Sequence, residues 1–170
     1  MLNINDLIIY SGHGICRVDD ISEKTFAGIT RTYYTLHPIE NDQDLTINVP
    51  VDNSKMKLFK LIDKKEANEI IALFNFDGIE WIDKPQQRTR VYSEALKTGN
   101  REEIAKIAIT LILKKYKAEK AGKKLYENDK NLLIDIQNIL FKELAIALDI
   151  SSEAINHKIN RIIREKNKLA

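Results

Sequence analysis

The sequence predicts an α+β protein, with a small β-barrel over residues 1–60 followed by an all-α domain of about five helices over residues 61–170. Two observations carry that division. Short alternating apolar runs fill the first sixty residues, whereas from Asp63 the apolar positions recur at helical spacing. The charge changes along the chain as well. Residues 1–83 carry 8 Lys/Arg against 14 Asp/Glu, residues 84–130 carry 13 against 6, and residues 131–170 carry 6 against 5. An acidic first half beside a basic middle predicts different partners for different faces, with polyanions on the basic one.

The strands follow in order. Leu7-Ile8-Ile9-Tyr10 is a compact apolar run, closed by the turn composition Ser11-Gly12-His13-Gly14. The stretch from Ile15 to Ile21 comes next, with Ile15, Arg17 and Asp19 alternating against Cys16, Val18 and Asp20. Gly28 marks a turn before Arg31–His37, where Thr and Tyr favour a strand. Leu45, Ile47 and Val49 then share one face of a strand that Pro50 ends. Four or five short strands cannot form a large sandwich, so an SH3-like or Tudor-like barrel is the economical architecture.

The helices begin at Asp63, which with Glu66 has the spacing of a capping box. The first would run to about Phe76, with Ala67, Ile70, Ile71 and Phe74 inward. Gly78 and Pro85 make Asn75–Gln87 a loop, and a second helix spans about Arg88 to Lys97 before Thr98-Gly99. Asn100 and Glu103 open a third, carrying Ile104, Ala108, Leu111 and Ile112, and Gly122 follows it. A long fourth helix covers roughly Asp129–Leu148, and Ser151 or Ser152 caps a last one bearing Ile155, Ile159 and Ile162.

Several classes of chemistry are not indicated. The one cysteine, Cys16, excludes an intrachain disulfide and points to a reducing compartment, the cytoplasm. Residues 1–6 lack the basic start and apolar run of a secretory signal, and no stretch reaches the roughly 20 apolar residues of a membrane span. His13, His37 and His157 stand far apart, so neither a metal site nor a cofactor is expected. The Gly12-His13-Gly14 turn lacks the Lys-Ser/Thr of a phosphate loop, there is no nucleophile elbow, and no enzymatic role is expected.

What remains is a nucleic-acid composition. Trp81 is the single tryptophan, in a Gly/Pro-containing loop followed by Lys84, Arg88 and Arg90. It either anchors the loop on the helical core or acts as a wedge at a DNA groove whose phosphates those cations hold. Seven lysines between Lys114 and Lys130, including Lys123, Lys124 and Lys130, exceed what capping of a helix end requires and suit phosphate contact. A competing pattern is a helix-turn-helix from Glu143 to Arg164, in which Asn156, Asn160, Arg161 and Arg164 would reach base edges of an operator. A third possibility is a protein-interaction module without DNA contact.

The order of features resembles the CarD family over nearly the full chain. Ile8-Ile9-Tyr10-Ser11-Gly12-His13-Gly14 resembles the family's opening strand and turn, with Ser11 where proline is usual. Tyr33-Tyr34-Thr35-Leu36, Leu45-Thr46-Ile47-Asn48-Val49-Pro50, Trp81, Leu96-Lys97-Thr98-Gly99-Asn100 and Glu143-Leu144-Ala145 follow in the family's order. The resemblance implies a Tudor-like domain that binds the β subunit of RNA polymerase by strand addition, through Lys24, Phe26, Ile47, Asn48 and Val49. Asn48 stands where many members carry arginine. It also implies a helical domain that places Trp81 in the minor groove at the edge of melted promoter DNA, with Lys130 matching a lysine before the long helix. Many members have an arginine pair close behind the tryptophan; here Asp83-Lys84-Pro85 intervenes and Arg88 and Arg90 arrive later. Binding would be largely sequence-independent, without a membrane, and by a monomer.

Overall fold

Alternation in the first sixty residues produces five antiparallel strands in the computed structural model, which describes residues 1–11, 13–40, 44–53, 55 and 58–169. They are β1 (Leu7–Tyr10), β2 (Gly14–Phe26), β3 (Ile29–Pro38), β4 (Ile47–Pro50) and β5 (Leu58–Lys60). Their order in the sheet is β4-β3-β2-β1-β5, so among the described residues β4 and β5 are the two edges. Gly12, part of the expected turn after β1, lies outside the described residues. The β2–β3 connection is a two-residue turn, Ala27-Gly28, with φ of 49° and 77°. Both residues are left-handed, as the twist of a tight hairpin requires, and glycine adopts that conformation without strain.

Register decides which side chains face the core. Pairing Val18 with Leu36, Ile21 with Tyr34 and Tyr34 with Val49 puts these residues on one face. Ile8, Cys16, Val18, Tyr34, Leu36 and Val49 form the buried cluster there. A bulge between Val18 and Asp20 breaks the strict alternation expected for β2 and shifts the inward side from Val18 to Ile21. Leu45, expected beside Ile47 and Val49, lies before β4 and is 40% exposed.

The chain divides into two compact units, Met1–Leu61 and Ile62–Ala170. The second contains α1 (Lys64–Leu73), α2 (Pro85–Thr98), α3 (Arg101–Lys120), α4 (Glu127–Ile136), a π-helical turn (Gln137–Phe141), α5 (Lys142–Leu148) and α6 (Ser152–Asn167). The capping box at α1 is complete: Asp63 Oδ1 accepts from the Glu66 amide at 2.8 Å, and Glu66 Oε2 accepts from the Asp63 amide at 2.9 Å. Asn100 caps α3 and Ser151 caps α6 through their side-chain oxygens, each interaction stabilising by about 1 kcal/mol. Pro85 sits inside the first turn of α2, where its missing N–H has no bond to lose, so this helix starts three residues before Arg88.

Helix α3 is the axis of this unit. Ile104, Ala105, Ile107, Ala108, Ile109, Thr110, Leu111 and Ile112 are all buried, a run too wide for one amphipathic stripe. The expected long fourth helix is interrupted by the π turn. The wider turn brings both Leu140 and Phe141 inward, and Phe141 meets Phe74 edge-on with ring centroids 5.9 Å apart.

Candidate functional site

Trp81 lies in the segment between α1 and α2, and that segment is fastened at successive points. The Ile79 amide donates to Thr110 Oγ1 at 2.8 Å, while the same hydroxyl donates to Ile79 O at 2.9 Å. Gly78 makes this approach possible, because a Cβ there would meet the Thr110 side chain and lie 3.0 Å from Lys106 O. Tyr92, fully buried on α2, donates its hydroxyl to Glu80 O at 2.9 Å. The loop preceding the basic region is therefore a rigid mount rather than a tether, and the half-buried Trp81 ring packs against the helical core.

Arg88 corrects one expectation. Its side chain is 4% exposed and forms a bidentate pair with Asp129: Nε to Oδ1 at 2.8 Å and Nη2 to Oδ2 at 2.7 Å. Nη1 donates to Ile82 O at 2.8 Å and Asp83 O at 3.3 Å. The guanidinium carbon is 4.1 Å from the centre of the Trp81 ring. Arg88 cannot hold a phosphate in this arrangement, because it is buried and its donors are committed to Asp129 and to the Ile82 and Asp83 carbonyls. The hydrogen-bonded Asp129 carboxylate holds its pKa above the ordinary arginine value. Lys114 Nζ also lies over the Trp81 ring, 4.6 Å from its centre.

Lys84, Arg90, Lys123, Lys124 and Lys130 are exposed. Among the described residues none of these five has a carboxylate at ion-pair distance. Lys130 follows Asp129 directly, so the Arg88–Asp129 pair ties the start of α4 to the Trp81 mount. Asp129, Tyr92, Thr110 and Lys114 complete this arrangement, and sequence reasoning missed their part in it. Arg88 and Asp129 are 41 positions apart and leave no local signal.

In the β unit the five expected contact residues fall on opposite faces. Lys24, Phe26 and Asn48 lie on the outward side, where Lys24 Nζ donates to Thr35 Oγ1 and Asn48 Oδ1, both at 2.7 Å. Phe26 is 48% exposed and meets Tyr33 edge-on at 5.0 Å. Val49 is 1% exposed and Ile47 packs against the core cluster, so a side-chain contact to a partner is excluded for Val49. What these two residues offer outward is the backbone of β4, an edge strand.

The helix-turn-helix pattern is weakened by its own side chains. Asp149 does take the left-handed turn conformation, at φ 53° and ψ 47°. The Asn156 side-chain oxygen, however, is buried without a partner, and Asn160 Nδ2 donates to Asn156 O at 2.8 Å. The Asn156 oxygen and one Asn160 amide donor are thus turned inward, while Arg161 and Arg164 of the same pattern are exposed. Among the described residues no group of three or more His, Cys, Asp or Glu is arranged to hold a metal, and no helix is long and apolar enough to cross a membrane.

Comparison with known proteins agrees with both units. Residues 2–62 match the model of the CarD-like/TRCF RID domain, and residues 69–160 match that of the CarD C-terminal domain. A Bacillus subtilis (strain 168) protein described as "Putative transcription factor YdeB" is 24% identical over 156 residues, which span 91% of this chain and 97% of that relative. With a Tudor-like β unit and a helical unit that match the two family domains in order, the chain belongs to the CarD family.

Proposed function

We propose that this protein is a transcription regulator that holds the RNA polymerase β subunit with the edge of its β unit and promoter DNA with the Trp81 face of its helical unit. The observation that carries this reading is the mounting of Trp81. A large aromatic is fixed by Arg88, Tyr92 and Thr110, while Lys84, Arg90 and Lys130 remain exposed and unpaired. Rigid apolar wedges flanked by cations suit a distorted minor groove, and phosphate contacts fix position without reading sequence. Family membership and the relative described as a transcription factor support the regulatory role.

The mechanism is a population shift. A wedge that fits unstacked DNA better than closed duplex stabilises the open complex by that difference in affinity, and equal affinity would shift nothing. In the β unit, the outward side chains Lys24, Phe26 and Asn48 would give specificity, and the β4 backbone would give strand addition.

Open-complex lifetime and binding to core polymerase separate the two functions. Trp81→Ala is expected to shorten the lifetime while leaving polymerase binding intact. Lys24→Glu with Phe26→Ala is expected to abolish co-purification with polymerase while the isolated fold persists. Unchanged lifetimes for Trp81→Ala would remove the wedge, and unchanged co-purification would remove the proposed edge contact.

A further inference from the structure

A groove of about 970 Å³ lies between the C-terminal half of α3 and α6, apart from Trp81, Lys84, Arg90 and Lys130 but including Asn160, Arg161 and Arg164 of the helix-turn-helix pattern. Its accessible apolar lining is Leu113, Ile150, Ala154 and Leu169, over the buried Ile112, Leu133 and Ile163, and Ile150 is 41% exposed. Lys115, Lys158, Arg161, Arg164 and Lys168 surround it, against Glu119 and Glu165. Among the described residues none of those five cations has a carboxylate at ion-pair distance, and Arg164 lies instead 5.8 Å from the centre of the Tyr116 ring. Like charges around one concavity repel, and its low-dielectric walls focus their field on whatever enters. Gln137, the first residue of the π turn, also lines the groove, and π turns recur at functional sites.

The groove is separate from the Trp81 face. Successive helix residues turn by roughly 100°, so Lys114 meets Trp81 whereas Lys115 and Tyr116 line the groove. We infer that this groove receives an amphipathic, acidic helix from a partner protein: apolar side chains at i, i+3, i+4 and i+7 on its floor, flanking Glu and Asp against the rim. Charge complementarity requires the acidic flanks, and the apolar floor requires the stripe. Duplex DNA satisfies only the first requirement, since its phosphates form the outside of a convex rod. Single-stranded nucleic acid needs successive stacking platforms, and Tyr116 is the one Phe, Tyr or Trp side chain lining the groove. The inference does not depend on the wedge.

A fluorescein-labelled peptide of about 15–18 residues, long enough to be helical when bound, tests it by anisotropy with the full chain. The peptide carries leucines at the stated spacing and glutamates elsewhere, and its scrambled isomer has the same charge without the stripe. The striped peptide is expected to bind at least about tenfold more tightly than the scramble, and Arg161→Glu with Arg164→Glu to weaken it at least about tenfold again. Amide chemical-shift mapping on the unaltered protein tests the same point without a variant, with shifts expected at Tyr116, Ile150 and Arg161 rather than at Trp81. Equal binding of stripe and scramble, shifts centred on Trp81, displacement by a 20-base-pair duplex, or no saturation up to about a millimolar would each overturn the proposal.

Discussion

Replacing Asp129 with alanine would leave the Arg88 guanidinium buried without its counter-charge. The two side chains are 4% and 2% exposed and joined by bonds of 2.8 and 2.7 Å, so both are almost wholly withdrawn from water. Removing one partner of such a pair costs about 3–5 kcal/mol, because the remaining charge stays desolvated. Against a total stability of about 5–15 kcal/mol for a domain, that is a large share, and it corresponds to a fall in Tm on the order of 15 °C. Trp81 is the only tryptophan and lies 4.1 Å from that guanidinium, so its fluorescence reports the same site. Urea unfolding followed at Trp81 is expected to show a lower midpoint and a red-shifted native emission. Replacing both partners, Arg88→Met with Asp129→Leu, removes the orphaned charge and is expected to recover part of the loss in stability, the Ile82 and Asp83 carbonyls losing their Nη1 donor. A loss under about 1 kcal/mol with unchanged emission for Asp129→Ala would refute the buried-pair account of how Trp81 is held.

Gly78→Ala would drive a methyl group into the Thr110 side chain, 3.0 Å from Lys106 O, and is expected to cost about 1–3 kcal/mol, read by denaturant midpoint. Burial raises the Cys16 thiol to about 11. Because the neutral form is favoured in the fold, this contribution is complete below the unfolded thiol pKa of about 8.5 and is lost as pH rises through 11. Unfolding free energies between pH 9 and 11 are therefore expected to fall more steeply for the native chain than for Cys16→Ala, by on the order of 2 kcal/mol across the window. The same thiol should resist alkylation in the folded protein at neutral pH. If Lys123, Lys124 and Lys130 hold phosphates, replacing all three with alanine should reduce the slope of log K against log salt by up to about 3, measured with a promoter-length duplex.

Much of the fold is legible in local patterns. Asp63 and Glu66 announce the start of α1, Asn100 that of α3, and Ser151 that of α6, because a cap acts on amides two or three residues away. The change from alternating to helical spacing separates the two units for the same reason: periodicity records which neighbours along the chain share a buried face. The π turn left no such signal, since it depends on Phe141 finding Phe74 across the core. Nor did the bulge in β2, which reassigns the inward side only once β3 is paired.

The candidate site divides along the same line. From the sequence alone came an aromatic in a basic region and, through the resemblance, Lys24, Phe26, Ile47, Asn48 and Val49 as expected polymerase contacts. Tertiary structure decided what each cation does. Arg88, Lys84 and Arg90 are equivalent as letters, yet the first is buried against Asp129 beneath Trp81 while the other two are exposed. Composition records how many charges a surface carries. Whether a given charge is spent within the fold or remains available for a partner depends on groups many positions away in the chain, and only the packed structure brings those together.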